Sequence, residues 1–451
     1  MPVGPAAGPA TAPQEPLEIV RGRGYISLLV ISAALGVPIS CVAYGFLALV
    51  SELQSLLYED LPKGLGFSGT PDWWAMPLLA VAGVLVALTI RHLPGKGGHE
   101  PAEGLKTGGT PSVTTVPGVA LAAIATLSLG AVLGPEAPLI ALGGGLAAGA
   151  IRMLKRDTPP TALAVVAAAG SFAAISELLG SPLLGAFLLM EASGLAGPML
   201  GVVLVPGLLA AGVGSLIFTG LDNWTGLGTY SLSLHQVPPP DRPTLAAFGW
   251  AIVAGLAAAI LGEAIRRSGR HLQKHVERRR LLLTVVMGVS IGLFALLYAT
   301  ITGKPISGVL FSGETTIGPL LADQATYSLG TLLLLVVFKS LAYSASLSAF
   351  RGGPVFPSLF VGGAVGLAMS HLPGLDPTTG FALGMGALSV AMLKLPMTAV
   401  LLATLLLGSD GLTVMPLVIV AVVVAYVLTL RLAEPEGPRP GERKPDGPAV
   451  P

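Results

Sequence analysis

Long apolar runs separated by short polar segments dominate the chain, and their lengths predict helices that cross or enter a membrane. The apolar runs cover residues 25–50, 73–90, 112–133, the stretch that follows Glu136, 160–179, 182–192, 197–218, 244–263, 281–301, 327–349, 357–371, 377–393, 395–408 and 411–430. Several are shorter than the roughly 20 residues that a full helical span needs. The pattern therefore predicts an all-α membrane protein that contains broken and re-entrant helices.

The composition supports this fold class and excludes several others. Hydrophobic residues make up 53% of the chain and charged residues only 11%, while glycine (60) and proline (38) are frequent, as broken helices require. The net charge of +1 excludes a strongly basic nucleic-acid-binding protein. A single cysteine, Cys41, excludes an intrachain disulfide and a thiolate metal cluster, and the six histidines show no metal-ligand spacing. We expect no cofactor.

The polar segments divide the chain into five parts. Residues 1–24 and 433–451 are rich in proline, and we expect both to be disordered tails. Between them, the polar segment 220–243 separates two membrane units, 25–219 and 244–432. The organisation predicted is thus two membrane repeats joined by an external linker.

Lysine and arginine are distributed unevenly among the polar segments, which predicts an orientation in the membrane. The segment 266–280 is the strongest basic cluster and 152–157 is also basic, whereas 57–72 and 220–243 carry one lysine and one arginine between them. Because basic loops stay in the cytoplasm, we place the first two segments and both termini on the cytoplasmic side of a plasma membrane. The segments 57–72 and 220–243 are then expected on the outside. A basic loop could instead bind nucleic acid, but the hydrophobic chain favours the topological interpretation.

Glu136 is the residue of the sequence that most strongly suggests chemistry. It is the one charged residue between Lys106 and Arg152. A carboxylate inside a membrane usually faces an internal path. Gly134 and Pro135 precede it and an apolar run follows, which predicts the start of a helix, where free N–H groups attract anions. A tethered carboxylate at an anion site would compete with a free anion, which is the behaviour of a gate.

The two halves of the chain contain matching helix breaks. The segment 134–138, Gly-Pro-Glu-Ala-Pro, corresponds to 352–357, Gly-Gly-Pro-Val-Phe-Pro, and short proline-led helices follow at 181–185 and 395–399. Interrupted helices at corresponding positions predict inverted repeats whose helix starts meet near the middle of the membrane. The alternative is that these glycines and prolines only permit close helix packing.

The same segments resemble motifs of the CLC chloride channels and chloride/proton antiporters. Residues 134–138 resemble the family's Gly-x-Glu-Gly-Pro, and 352–357 are similar to Gly-Gly-Ile-Phe-x-Pro. Residues 181–191 resemble the segment Ala-Pro-Leu-Ala-Gly that ends in glutamate. Residues 384–388 and 394–398 resemble Gly-Met-Gly-Ala and Arg-Ala-Pro-Leu-Thr. The four motifs occur in the family's order, and together they are specific.

The resemblance implies a CLC-like inverted repeat, a homodimer with one pore in each subunit, and transport of chloride or another small anion across the lipid bilayer. It assigns Glu136 as the external gating glutamate. It also implies an anion site formed at Gly98, Gly134, Ala137, Gly353, Val355 and Phe356. Protons are a further expected partner, since some members of the family are antiporters.

The sequence departs from the family at each expected central ligand. Gly98 stands where the family has an anion-coordinating serine, and Pro354 lacks the N–H of the family's residue. Beyond Leu430 the sequence has no counterpart of the family's coordinating tyrosine. Ala192 occupies the position of the antiporters' internal proton glutamate. We therefore expect weak chloride binding at the centre, or preference for another anion.

The departure at Ala192 leaves the transport mode open between a passive channel and an antiporter with an unusual proton route. Glu177 lies in an otherwise uncharged stretch and is a candidate relay, although it could instead cap the helix break at Ser181. Glu191 is a second candidate, for which a structural role is favoured. An intramembrane hydrolase is a different class of function, but no Gly-x-Ser-x-Gly motif or serine–histidine pairing supports it, and we expect no enzyme.

Overall fold

Helices joined by loops make up the part of the chain that the computed structural model describes. The described residues are 20–105, 112–194, 197–232, 234 and 237–433. Except for residues 20–24 and 433, the two predicted tails therefore lie outside the described residues. Seven helical segments of the described chain are long and apolar enough to cross a membrane. This confirms the predicted all-α membrane fold class.

The helices follow the predicted apolar runs closely. They are α1 (Arg23–Ser55), which a π-helical turn (Leu56–Asp60) extends into a four-residue helix (Leu61–Gly64), α2 (Ala75–His92), α3 (Val116–Ser128), α4 (Glu136–Leu154), α5 (Pro160–Ala174), α6 (Pro182–Ser193), α7 (Pro198–Thr225), α8 (Leu245–Val276), α9 (Arg280–Thr302), α10 (Ile317–Ala322), α11 (Leu329–Ala349), α12 (Val355–Ser370), α13 (Pro377–Leu393), α14 (Pro396–Leu405) and α15 (Gly411–Leu432). Most boundaries lie within a few residues of the predicted ones, because proline or glycine marks many helix starts.

The basic cluster is not a loop as predicted, since most of it continues helix α8. The reason is Glu263, which is buried and bonds three arginines that follow it on the same helix. Its carboxylate lies 2.5 Å from Arg266, 2.9 Å from Arg267 and 3.3 Å from Arg270. Arginine is also a good helix former, and carboxylate–arginine pairs three or four residues apart stabilise a helix. The polar sequence thus extends the helix instead of ending it.

Helix α8 contains 32 residues and is therefore about 48 Å long, so its two ends mark opposite faces of the protein. Near its end, Gln273 donates a hydrogen bond to Glu100. Near its start, the Trp250 ring N–H donates to the carbonyl of Pro373 at 3.2 Å. We call the face at the end of α8 the inner face and the face at its start the outer face.

Helices α3 and α4 form a hairpin that enters from the inner face and returns to it. Gly118 in the first turn of α3 packs against Pro94, which belongs to the same loop as Glu100. At the far end of α4, Gly149 packs against Val113, just before α3. The open ends of the hairpin therefore lie at the inner face, and the helix start at Glu136 lies inside the protein.

Helices α11 and α12 form the corresponding hairpin from the outer face. Helix α12 begins at Val355 and leads to Pro373 at the outer face, whereas α4 runs to the inner face. The two helix starts meet where Gly134 and Gly353 pair as an antiparallel β-bridge, with N–H to carbonyl distances of 2.8 and 2.6 Å. Opposite directions from a common centre are what an inverted repeat requires, and the predicted fold is confirmed.

Glycines also allow close packing, as the alternative interpretation held. A Cβ atom added to Gly384 of α13 would lie 1.9 Å from the carbonyl oxygen of Gly362 of α12. Close packing and paired helix starts therefore occur together, but at different glycines. The glycines of α12 and α13 hold the two helices together, whereas Gly134 and Gly353 belong to the centre.

Lys339, in the middle of α11, fixes the loop that leads toward the outer side of the centre. Its ammonium group is fully buried and donates to the carbonyls of Gly308 and Leu310, each at 3.0 Å. It also lies 4.2 Å from the centre of the Phe360 ring. A buried cation must be compensated by such contacts. The loop leads directly to Glu314.

Candidate functional site

Glu136 is the first residue of α4 and is completely buried at the meeting point of the two helix starts. Its Oε1 accepts a hydrogen bond from the backbone N–H of Val355, the first residue of α12, at 2.5 Å. Its Oε2 has no hydrogen-bond partner among the described residues. The carboxylate of one repeat thus occupies a helix start of the other repeat, where backbone N–H groups favour an anion.

Two glycines make room for the Glu136 side chain. A Cβ atom on Gly353 would lie 2.0 Å from Cδ of Glu136, and a Cβ on Gly134 would lie 2.1 Å from its Oε2. No side chain at either position is compatible with the observed carboxylate. The close approach explains why the bridge between the repeats consists of two glycines. It also implies that a side chain introduced at position 353 would displace the Glu136 carboxylate.

The structure changes the set of amides that can bind an anion. The N–H groups of Gly134 and Gly353 donate to each other's carbonyls, and the N–H of Gly98 donates to Gly95 at 2.9 Å. These three predicted positions therefore offer no free amide. The N–H groups of Ala137 and Phe356 lie in the first turn of α4 and α12, where no intrahelical acceptor exists.

Val355 completes this reduced donor set, because its N–H becomes free whenever the Glu136 carboxylate leaves. The third helical residue is proline in both repeats, Pro138 and Pro357, and contributes no donor. The amides that an anion could use are therefore those of Glu136 itself, Ala137, Val355 and Phe356. Weak anion binding, which the sequence predicts from Gly98 and Pro354, is therefore also expected from the small number of free amides.

Two polar side chains beside the centre were missed by the sequence analysis. Tyr343 of α11 is fully buried, and its hydroxyl donates to the carbonyl of Pro354 at 2.8 Å. Arg351 directly precedes the Gly352–Gly353 pair and is 3% exposed. Nothing in an apolar run marks Tyr343, but the criterion that selected Glu136, a charge beside a helix break, applies equally to Arg351.

A cavity of about 630 Å³ opens on the outer side of the centre, with Leu133 and Pro135 in its wall next to Glu136. Its polar lining includes Ser51, Gln54, Tyr230, Ser312, Glu314 and Asp323. Glu314 lies in the loop between α9 and α10, and burial, followed by the charge of Glu136, raises the pKa of its carboxyl to about 8. Carboxylates in the wall of this cavity can bind protons but repel anions.

The two candidate proton relays lie apart from each other and have local partners. Glu191, at the end of α6, accepts hydrogen bonds from the backbone N–H of Met397 at 3.0 Å and of Thr398 at 2.7 Å. It therefore caps the start of α14. Glu177 accepts a hydrogen bond from the hydroxyl of Ser215 on α7, close to the backbone bond between Leu178 and the linker residue Leu232.

Comparisons with known proteins agree with this architecture. The sequence model of a family described as voltage gated chloride channel matches residues 78–430. YfeO proteins of Escherichia coli and Escherichia fergusonii, provisionally named ion-transport proteins, are 29% identical over 356 residues, which is 78% of this chain and 81% of theirs.

Solved structures are similar in fold. A CLC-type fluoride/proton antiporter aligns with a TM-score of 0.68 and 19% identity, covering 90% of this chain and 95% of its own. A slow cyanobacterial Cl⁻/H⁺ antiporter aligns with a TM-score of 0.70 and 20% identity, covering 90% and 94%. A eukaryotic CLC transporter aligns with a TM-score of 0.68 and 15% identity, covering 91% and 72%.

Proposed function

The chain belongs to the voltage-gated chloride channel family, known as CLC, and we propose that it conducts small anions across the cell membrane along a path gated by Glu136. The family is one of channels and transporters. The observation that carries the proposal is the buried Glu136 carboxylate on the Val355 amide, at the point where two inverted helix starts meet. A free anion would need the same amide.

The gate would work by competition between two anions for one set of donors. In the observed state, the carboxylate lies over Gly353 and occupies the Val355 N–H. Protonation removes the charge that holds the side chain there, and the first-turn amides of Glu136, Ala137, Val355 and Phe356 can then donate to a free anion. Acidification should therefore increase the anion flux.

Protons would reach the gate from the outer cavity, whose wall includes Pro135 beside Glu136 and the carboxyl of Glu314. The contacts of Glu177 and Glu191 support structural roles for both, and Ala192 cannot carry a proton. We therefore favour anion movement that is not tightly coupled to protons through an internal carboxylate. A coupled antiporter that uses an internal water chain is the second candidate.

The proposal predicts anion efflux from liposomes that contain the purified chain. Chloride, fluoride and nitrate should be tested separately, because the reduced donor set favours none of them. Efflux that depends on the protein and increases on acidification is expected, without uphill proton movement driven by the anion gradient. Glu177→Gln and Glu191→Gln should behave like the wild type in both assays.

Each alternative outcome is informative. If none of the three anions moves faster than from protein-free liposomes, anion conduction is wrong. Uphill proton movement in the wild type would establish the antiporter, and its loss in Glu177→Gln alone would identify that carboxylate as the internal relay. Survival in both variants would leave water as the proton route.

A second prediction concerns Glu314. Because the pKa of its carboxyl is raised to about 8, it carries its charge only above that pH, and there it opposes ionisation of Glu136. Glu314→Gln should therefore lower the residual anion flux severalfold above pH 8 and leave the flux at pH 5 unchanged. The control is Asp323→Asn, an exposed carboxylate in the wall of the same cavity, which should have no effect.

The measurement for this prediction is anion efflux as a function of pH in the wild type and the two variants. An equal loss of flux at pH 5 and above pH 8 in Glu314→Gln would indicate a structural defect. An unchanged profile would show that the charge of Glu314 does not affect the ionisation of Glu136.

Orientation and assembly follow from the same proposal. Arg267 donates to the carbonyl of Leu432 at 2.7 Å, so the end of α15 lies at the basic end of α8. If basic segments stay in the cytoplasm, the inner face is cytoplasmic and the C-terminus lies there. We further propose the plasma membrane as the location and a homodimer as the assembly, which mass measurement in native membranes can test.

A further inference from the structure

Arg351 connects the two loops that the sequence assigned to the anion. It directly precedes the Gly352–Gly353 pair, and its side chain extends to the loop that contains Gly98. There its Nε donates to the carbonyl of Lys96 at 3.2 Å, and a terminal nitrogen lies 3.3 Å from Oε1 of Glu100. The guanidinium thus lies on the inner side of the paired helix starts, opposite the outer cavity.

Glu100 is the more accessible member of this ion pair. Its side chain is 29% exposed, compared with 4% for the side chain of Arg351. Its other oxygen accepts a hydrogen bond from Gln273 at the end of α8. The carboxylate is therefore held at the inner face by an amide and a guanidinium, and it can leave the guanidinium by rotating toward water.

The donors of Arg351 exceed its described acceptors. A guanidinium has five N–H groups. Within the described chain, Nε donates to Lys96, one terminal nitrogen to the carbonyl of Phe350 at 3.3 Å, and the other to Glu100. Each terminal nitrogen thus retains a second N–H for another acceptor. A planar group with several donors is suited to bind an anion.

We propose that Arg351 is an anion-binding residue on the inner side of the path and that Glu100 covers it as a second tethered carboxylate. This inference rests on the proposed function. An anion moving between the helix starts and the inner face would displace Glu100 from Arg351, as it displaces Glu136 from Val355 on the outer side. The arginine would supply a positive ligand where Gly98 offers neither a hydroxyl nor a free amide.

Equilibrium anion binding to the full chain in detergent tests the inference. Chloride, fluoride and nitrate are titrated calorimetrically into the wild type, Glu100→Gln and Arg351→Gln. Glu100→Gln removes the competing charge and keeps an acceptor for Gln273, so the anion should bind about tenfold more tightly. Arg351→Gln should weaken binding by about tenfold or more.

Glu277→Gln is the matched control. Like Glu100, Glu277 accepts a hydrogen bond from Gln273, at 3.2 Å, and it also lies 3.9 Å from Arg280. No hydrogen bond or ion pair joins Glu277 to Arg351 among the described residues, and its charge acts on the guanidinium only from a distance. Glu277→Gln should therefore change the anion affinity much less than Glu100→Gln does, which separates a general charge effect from release of Arg351.

Unchanged or weaker anion binding in Glu100→Gln overturns the inference, because a pair that only fixes the loop cannot improve affinity when it is weakened. Failure of Glu100→Gln to fold while Glu277→Gln folds has the same consequence. If Arg351→Gln does not fold, Arg351→Lys, which keeps the charge, replaces it as the variant at this position. The anion affinity of Glu100→Gln is then the measurement that decides the inference. If the wild type moves no anion across liposomes, the proposed function has failed rather than the role of Arg351.

Discussion

Replacement of Glu136 by glutamine is expected to preserve anion flux and to abolish its dependence on pH. Glutamine has almost the shape of a protonated glutamate but cannot ionise, so nothing holds it on the Val355 amide by charge. In the wild type, the protonated fraction of a carboxyl group falls about tenfold for each pH unit above its pKa, and the flux should fall with it. Efflux from liposomes between pH 5 and pH 9 measures both quantities.

The comparison needs a glutamate that also bonds the amides of a helix start without lying on the path. Glu191 is such a residue, because it accepts hydrogen bonds from Met397 and Thr398. Glu191→Gln should retain the pH dependence of the wild type. A Glu136→Gln protein that is folded and conducts with an unchanged pH profile would show that another group controls the flux.

Replacement of Gly353 by alanine is expected to open the same gate without changing any ionisable group. The added Cβ would lie 2.0 Å from Cδ of Glu136, and its three nearest contacts are all atoms of that side chain. The φ angle of Gly353 is not positive, so alanine is compatible with the backbone. The carboxylate must leave, and at neutral pH the anion flux should rise about tenfold or more, since a charge-assisted hydrogen bond contributes roughly 1.5–3 kcal/mol.

A double substitution identifies the cause of this effect. In Glu136→Ala the side chain that clashes is absent, so adding Gly353→Ala should change the flux little further. Gly352→Ala serves as a second comparison, because its Cβ would meet Leu133 at 2.7 Å rather than Glu136. If Gly353→Ala lowers the flux in both backgrounds, the alanine disturbs the β-bridge and the helix starts instead of displacing the carboxylate.

The local chemistry of the sequence determined the helices and the central carboxylate. Prolines at helix starts and glycines after helix ends set most boundaries, and these act through the backbone of a few neighbouring residues. Glu136 was identifiable because an isolated carboxylate in an apolar stretch needs a reason to be there. The correspondence of the segments 134–138 and 352–357 predicted two matching helix starts, and the family resemblance added their expected roles.

Which donors remain at the centre depends on contacts between distant parts of the chain. The N–H groups of Gly134 and Gly353 are not free because each donates to the carbonyl of the other glycine, more than two hundred residues away in the chain. No local sequence pattern predicts such a pairing. The same holds for the contact of Arg351 with Glu100 and for the cavity whose wall contains both Glu314 and Pro135, the residue before Glu136. The length of α8 was predicted wrongly for a related reason. The basic residues after Glu263 were taken as a loop because they are polar, whereas their ion pairs with the buried Glu263 keep them helical. A charged residue acquires its role from its partners, and long-range folding determines which partners it meets.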